Sequence, residues 1–144
     1  MNFQECIQFA SENPLCYVAT VDGDQPHVRA LLMWYADENG FYFSTMTPKR
    51  FWEQMENNPK VELCFYNNAA DLMAAKMMRV TGCVELLRDS ALNTKVVEER
   101  AFLEDLAGQP IEPVMEVFRV ANGEAVFWTM SDILKERELE RIGF

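Results

Sequence analysis

The sequence has few of the residues and motifs that usually carry out catalysis or bind metal ions. Histidine occurs once in 144 residues, at His27, so a Ser–His–Asp or Cys–His catalytic site would have to use that side chain. There is no HExxH motif and no cluster of histidine, cysteine and acidic residues at metal-ligand spacing. The glycine-rich GxGxxG and P-loop motifs are also missing. An enzyme with this sequence would therefore take its reactive group from a cofactor, with no metal and no catalytic side chain of its own.

Cysteine is sparse and widely spaced. None of the four cysteines forms a CxxC pair, which predicts reduced thiols rather than disulfides or a metal site. The N-terminal MNFQECIQF lacks the basic start and apolar core of a signal peptide, and no apolar run is long enough to span a bilayer. These features predict a cytoplasmic protein that does not enter a membrane.

Basic residues are outnumbered, with 13 lysines and arginines against 23 acidic residues. A net charge of −10 argues against nucleic acid or an anionic membrane as the main partner, because there is no basic surplus to displace counterions. Hydrophobic residues make up 49% of the chain, which argues against disorder. We expect one domain, residues 1–144, with its own hydrophobic core.

Against this acidic background, one stretch places two basic residues together. Residues 41–43 are aromatic and predict a strand. Thr47 is a good N-cap and Pro48 suits the first helical position, so the pattern predicts a helix that begins there. Its first turn would carry Lys49 and Arg50, although the positive end of the helix macrodipole disfavours cations.

An anion among these cations would relieve the repulsion. A phosphate could accept hydrogen bonds from the hydroxyls of Ser44, Thr45 and Thr47, from backbone N–H groups and from both basic side chains. The simpler alternative is a surface helix with two solvated basic residues. This stretch alone leaves both interpretations open.

The rest of the chain alternates between strands and helices. Turn signals at Asp22-Gly23 and Asn122-Gly123 predict two-residue hairpins. The predicted strands are 15–21, 26–35, 41–43, 61–66, 75–86, 114–121 and 124–130, and the predicted helices are 3–12, 48–57, 90–107 and a short one capped by Ser131. Tight turns between neighbouring strands favour an antiparallel sheet. We therefore expect a mainly β (α+β) fold, an antiparallel split β-barrel with peripheral helices.

One strand carries an unexpected cation. Period-2 alternation in residues 26–35 puts Arg29 on the same face as His27 and Leu31. A buried arginine needs a partner, so Arg29 joins the basic stretch as a candidate anion ligand.

These segments together resemble a known family. In the pyridoxamine 5′-phosphate oxidase-like FMN-binding split-barrel proteins, an Arg-x-x-Leu strand is followed by a strand that ends in Ser/Thr. A Ser/Thr-x-Lys helix start, an NNP-x-V segment and an Arg-Val-x-Gly strand come next. The matching pieces are Arg29 to Leu32, Ser44-Thr45, Thr47-Pro48-Lys49, Asn57 to Val61 and Arg79 to Gly82. Their order and spacing match over roughly residues 15–87.

The resemblance implies a homodimer with FMN bound at the subunit interface. By this analogy, Arg29 and Lys49 hold the phosphate with help from Ser44, Thr45 and Thr47, and Arg50 lies beside them. The backbone of Ala30, Leu31 and Leu32 lies along the flavin ring. Met77 and Arg79 approach from the long strand, from one subunit or the other, and Trp128 is the aromatic residue near the isoalloxazine.

The chain also departs from the family pattern. It ends in ERELERIGF rather than the Arg-Leu-His element that binds vitamin B6 in the true oxidase, and Trp34 stands where the family commonly has lysine. The resemblance therefore implies an FMN-dependent oxidoreductase that uses a nicotinamide or another small organic substrate, not a true pyridoxamine phosphate oxidase. The alternative is a non-catalytic module that binds flavin, haem or deazaflavin, in which His27 could ligate haem.

Overall fold

The alternation of apolar and polar residues builds one antiparallel sheet of eight strands. The computed structural model describes residues 1–144. In chain order, its elements are α1 (Phe3–Glu12), β1 (Leu15–Asp22), β2 (Gln25–Leu32), β3 (Tyr35–Asp37), β4 (Gly40–Met46), α2 (Arg50–Asn57), β5 (Lys60–Tyr66), β6 (Lys76–Leu86), α3 (Ser90–Glu99), α4 (Phe102–Ala107), β7 (Met115–Thr129) and β8 (Ile142–Gly143). The strands are ordered β2-β1-β5-β6-β7-β4-β3, and β8 pairs with β7. The predicted mainly antiparallel architecture with peripheral helices is confirmed. None of the helices is long and apolar enough to cross a membrane.

The two faces of the sheet have different roles. The inward face holds the main core, in which Val18, Leu63 and Val80 lie side by side on neighbouring strands and are fully buried. On the outward face, cross-strand partners form a row that runs through Ala30, Tyr17, Cys64, Arg79 and Val126. The register therefore places alternate residues of β1, β2, β5, β6 and β7 on a surface that the core does not use.

The strand predicted at 26–35 is broken in the structure. Two consecutive N–H groups donate in different directions. That of Met33 donates to the carbonyl of Pro14 at 2.8 Å, and that of Trp34 donates to the carbonyl of Tyr42 at 2.9 Å. The chain thus leaves the β1–β2 hairpin and joins β4, and this ends β2 at Leu32. The predicted alternation within β2 is correct, because Arg29 and Leu31 are half-buried while Val28, Ala30 and Leu32 are exposed.

The helix predicted from Pro48 begins two residues later, at Arg50, with Lys49 as its N-cap. The predicted Thr47 cap is wrong. The N–H of Thr47 bonds to the carbonyl of Val114 at 2.9 Å and prolongs the pairing of β4, while the N–H of Lys49 closes a turn onto Met46 at 3.1 Å. No side chain caps the first turn of α2.

The hairpin predicted at Asn122-Gly123 is also wrong, because β7 runs straight through it. Asn122 has a φ of +54°, and the register of β6 shifts between Thr81 and Cys83, so the pair forms a bulge instead of a turn. The backbone of Gly123 exchanges hydrogen bonds with that of Phe144. A Cβ at Gly123 would lie 1.7 Å from the carbonyl oxygen of Thr81, so glycine is needed for this close approach.

The long helix predicted at 90–107 is two helices. Arg100 ends α3 with a φ of −125° and donates its N–H to the carbonyls of Val96 and Val97. The short α4 follows, and its Leu106 is exposed. The helix predicted after Ser131 is replaced by two short 3-10 turns, Met130–Asp132 and Glu136–Glu138, the first of which is capped by Thr129 rather than Ser131.

Candidate functional site

The inward face of β2 carries a cation that packs against α2. The guanidinium of Arg29 donates to the hydroxyl of Thr20 at 2.7 Å and to the side-chain carbonyl of Gln54 at 2.6 Å. It also lies over the ring of Phe51, 4.5 Å from the centroid. Because Phe51 and Gln54 belong to α2, these contacts hold Arg29 against the same helix whose first residues are Lys49 and Arg50.

No carboxylate neutralises Arg29. Its hydrogen-bond acceptors, which include the backbone carbonyl of Val18 at 3.4 Å, are all uncharged, and it forms no ion pair. Burial lowers the pKa of Arg29, and nothing in its surroundings opposes that effect. In contrast, hydrogen bonds to Tyr42 and Glu85 raise the pKa of Arg119. Arg29 is therefore a partly desolvated charge without a counter-ion, an arrangement that favours an anionic ligand.

The start of α2 adds two more cations. Lys49 and Arg50 are exposed, and neither forms an ion pair with an acidic residue. Arg50 and Gln54 lie one helical turn apart and share a groove of about 190 Å³. The groove is also lined by Asp22, Glu53 and Asn57. Since Gln54 holds Arg29, the structure brings Arg29 to the same helix that carries Arg50.

The three hydroxyl side chains that were predicted to bind phosphate do not lie on one face. Thr45 is buried on the same inward face as Phe43, and its hydroxyl has no hydrogen-bond partner. Ser44, the next residue on β4, points to the opposite face of the strand. Thr47 lies in the turn before α2 and is half-buried. An unpartnered buried hydroxyl is costly, so Thr45 is the hydroxyl that a ligand at this corner would satisfy.

The remaining predicted residues, apart from Leu31, lie on the outward face. Ala30 and Leu32 point outward from β2, Met77 and Arg79 from β6, and Trp128 from β7. Met77 is the cross-strand partner of both Tyr66 and Trp128, so three large apolar side chains stand in one row. The inward-facing Leu31 packs against the main core. The predicted set thus divides into a cationic corner at α2 and an apolar surface on the outward face.

Arg79 is the one charged member of the outward group. Its Nε lies 2.7 Å from a carboxylate oxygen of Glu62, and one terminal nitrogen lies 2.8 Å from Glu136. The hydrogen bond to Glu62 is the main reason that the pKa of Arg79 is raised. Unlike Arg29, this arginine is already paired within the chain.

The site predicted from the sequence does not include Thr20 and Gln54, the two polar residues that hold Arg29. Both are buried, and the hydroxyl of Thr20 donates to Gln54 at 2.6 Å. Thr20 was detectable in principle, because it is a polar residue at an inward position of β1 opposite His27. Gln54 is 25 residues from Arg29 in sequence, and no local pattern pairs them.

A family model and several known proteins are similar to this chain in sequence. A family model described as pyridoxamine 5′-phosphate oxidase matches residues 3–129. The pyridoxine/pyridoxamine 5′-phosphate oxidase of Escherichia coli is 41% identical over 63 residues, which are 43% of this chain and 29% of that protein. The same enzyme from an Enterobacter species is 34% identical over 85 residues, 58% of this chain and 37% of that protein. The matched segments thus span about a third of these curated relatives.

Solved structures resemble the whole chain at low identity. A NimC/NimA family protein from Clostridium acetobutylicum has a TM-score of 0.73 and 23% identity, covering 96% of this chain and 91% of that chain. A pyridoxamine 5′-phosphate oxidase-related, FMN-binding protein from Nostoc punctiforme has a TM-score of 0.63 and 15% identity, covering 89% of this chain and 83% of that chain. These similarities confirm the fold, an antiparallel split β-barrel.

Proposed function

Because the chain belongs to the pyridoxamine 5′-phosphate oxidase family, we propose that it is an FMN-dependent oxidoreductase. It would exchange a hydride between the flavin and a nicotinamide or another small organic substrate. FMN fits the cationic corner better than FAD, because a terminal phosphate dianion matches a compact cluster of cations. The observation that carries the proposal is Arg29, a half-buried cation with only neutral hydrogen-bond partners.

The residues at the start of α2 suit a phosphate group. Lys49 and Arg50 would each contribute a charge-assisted hydrogen bond, and the uncapped first turn offers backbone N–H groups and the positive end of the helix macrodipole. Arg29 would supply the third cation from β2. The hydroxyl of Thr45, unpartnered and buried, would supply a neutral donor, and Thr47 in the adjoining turn another.

The outward face suits a planar aromatic ring. Ala30 and Leu32 would give it apolar contacts from β2 of one subunit, and Met77 and Trp128 from β6 and β7 of the other, because β1 and β5 separate these strands within one chain. The backbone along β2 would run beside the ring. When bound, FMN supplies the atom that accepts and donates the hydride. The chain's own part is to hold the phosphate, orient the ring between apolar side chains and place positive charge near it. No acid or base from the chain is needed.

A homodimer is part of the proposal, because the outward face of the β1–β2 hairpin is apolar and uncovered. Five of its large side chains are exposed: Leu15 by 48%, Tyr17 by 44%, Val21 by 37%, Val28 by 70% and Leu32 by 50%. Leu15 and Leu32 are cross-strand partners, while Tyr17, Val21 and Val28 face Ala30, Pro26 and Ala19. Together these residues form a contiguous apolar patch, which marks an interaction surface. We infer that a second copy covers it and completes the flavin site from the other side.

Replacing Val28 by glutamate is expected to convert the dimer to a monomer, because the new charge would be buried against apolar side chains. Sedimentation velocity measures the change. Leu106→Glu is the matched control, since Leu106 is 79% exposed on α4, which is not part of the hairpin, and this variant should remain dimeric. The proposed interface is wrong if both variants keep the mass of the wild-type protein.

The substrate is proposed to differ from that of the true oxidase. The indole of Trp34 donates to Glu99 at 2.5 Å, at the position where the family commonly has lysine. An aromatic side chain tied to a carboxylate offers no charge for a phosphorylated substrate.

The proposed function is tested by loading the protein with FMN and adding NADH or NADPH without oxygen. We expect bound FMN, and loss of its visible absorbance when the nicotinamide is added, whereas pyridoxamine 5′-phosphate should cause no bleaching. Bound FMN that no donor reduces would indicate the non-catalytic alternative. A Soret band on haem titration that is absent in His27→Ala, together with no flavin binding, would contradict the proposal.

A further inference from the structure

A cavity of about 400 Å³ lies on the outward face beneath the C-terminal residues. We name residues 133–141 the C-terminal strap. The sheet side of the cavity is formed by Glu62, Arg79, Thr81, Glu124 and Val126, and the strap side by Glu136, Arg137, Leu139 and Arg141. Its volume is within the range of small-molecule sites.

The strap is firmly held at its far end. Ile142 and Gly143 pair with β7, and the ring of Phe144 stacks on that of Phe3 with centroids 4.6 Å apart. Ile142 is buried in the main core. At its near end, Asp132 caps the turn that begins at Thr129, with its carboxylate 2.9 Å from the backbone nitrogen. The strap is therefore a loop between two fixed points.

Between those points the strap is held weakly. Its contacts with the sheet include the ion pairs Glu136–Arg79 at 2.8 Å and Arg141–Glu124 at 3.4 Å. All four side chains are at least 40% exposed, and exposed ion pairs stabilise a structure very little. Ile133 and Leu134 are largely exposed. We therefore expect that Glu136 can leave Arg79 at small cost without disturbing the anchored ends of the strap.

We propose that this cavity binds a small organic carboxylate, which replaces the carboxylate of Glu136 on the guanidinium of Arg79. The planar fork of arginine matches a carboxylate geometrically. Val126 and Leu139 provide the apolar surface for the rest of such a molecule. The carboxylate of Glu136 binds the same guanidinium, so it would act as an internal competitor of the ligand.

The charges of the cavity favour a monoanion over phosphate. Arg79 keeps its bond to Glu62 when Glu136 leaves, so a single negative charge restores the original balance. Once Glu136 is displaced, the cavity is lined by two carboxylates, Glu62 and Glu124, and by three arginines, Arg79, Arg137 and Arg141, so a dianion would leave one negative charge uncompensated. The chemical class is therefore an apolar molecule with one carboxylate.

The position of the cavity also indicates a substrate class for the proposed enzyme. Val126 and Trp128 are alternate residues of β7 on the outward face, and Met77 and Arg79 have the same relation on β6. A carboxylate on Arg79 would thus lie beside the proposed flavin ring. This assignment as substrate rests on the proposed function, whereas binding to Arg79 does not require flavin.

Benzoate is a suitable probe, with benzamide as its neutral analogue and inorganic phosphate as the dianion. The full-length protein without added flavin is titrated while NMR follows the Nε–H of Arg79 and the amides of the strap. We expect benzoate to shift these signals, and benzamide and phosphate to leave them unmoved. Arg79→Gln should weaken benzoate binding by about tenfold or more, because a charge-assisted bond is lost.

Glu136→Gln is the decisive variant. Removing the competitor should tighten benzoate binding about threefold to fivefold, the range expected from an exposed ion pair. Glu56→Gln removes an acid paired with Arg88 elsewhere and should have no effect. The proposal is overturned if benzoate leaves the Arg79 signal unmoved in both the wild type and Glu136→Gln, or if Arg79→Gln binds it equally well. Repeating the titration with FMN separates the two proposals: failure of FMN to bind refutes the flavin site alone.

Discussion

Replacing Arg29 by methionine is expected to weaken FMN binding by about 100-fold or more, because two charge-assisted hydrogen bonds to the phosphate are lost. The apo protein should lose little stability. The hydroxyl of Thr20 already donates to the carbonyl of Gln54, so both groups keep a partner when the guanidinium is removed. Methionine retains much of the volume that packs on Phe51. The variant also eliminates a desolvated charge without a counter-ion, which can raise stability.

Flavin fluorescence quenching gives the affinity, and urea unfolding of the apo protein gives the stability. Lys49→Ala is the companion variant, with one charge-assisted bond lost and an expected decrease in affinity of roughly 10- to 100-fold. Lys95→Ala removes the same charge from an exposed position on α3 and should bind FMN like the wild type. If Lys49→Ala lowered apo stability and left the affinity unchanged, the phosphate assignment would be withdrawn.

Phe43→Ala is expected to destabilise the protein by about 3–5 kcal/mol, the usual cost of truncating a buried phenylalanine. Phe43 is fully buried on β4, and its ring stacks on that of Phe118 with centroids 5.3 Å apart. Phe51 of α2 contacts Phe118 edge-on at 5.6 Å, so the same aromatic cluster fixes the helix that carries Lys49 and Arg50.

Chemical unfolding in urea measures this change directly. Phe102→Ala on α4 is the control, because Phe102 is 56% exposed and its truncation should change the free energy of unfolding by less than about 1 kcal/mol. Equal effects of the two substitutions would show that the aromatic cluster does not form the core of the barrel.

The parts of the fold that depend on interactions between residues close in sequence were predictable. Alternation placed Arg29 on the same face of β2 as Leu31, and both are half-buried. A tight turn follows Asp22 as expected, but its two residues are Gly23 and Asp24, because Asp22 pairs with Gln25. Asn122-Gly123 carries an equally strong turn signal but forms a bulge. The difference lies in Phe144, whose backbone pairs with that of Gly123 from the far end of the chain. A two-residue motif contains no information about such a distant partner.

The candidate site was predictable in composition but not in its contacts. The charge pattern predicted that Lys49 and Arg50 lie at the start of a helix, and the structure places both there. The helix itself begins at Arg50, two residues later than predicted. The bond from Arg29 to Gln54 and the pair Arg79–Glu136 join residues 25 and 57 positions apart. Such contacts depend on the closure of the sheet, which no local pattern specifies.

The central claim is that the cations at the start of α2 and Arg29 hold a phosphate group. The most direct test compares the affinities of FMN and riboflavin, which differ only by that group, under the same ionic conditions. Our account predicts that riboflavin binds roughly 1,000-fold or more weakly, and that Arg29→Met removes about 100-fold of this difference. Equal affinities of the wild-type protein for the two flavins would contradict it.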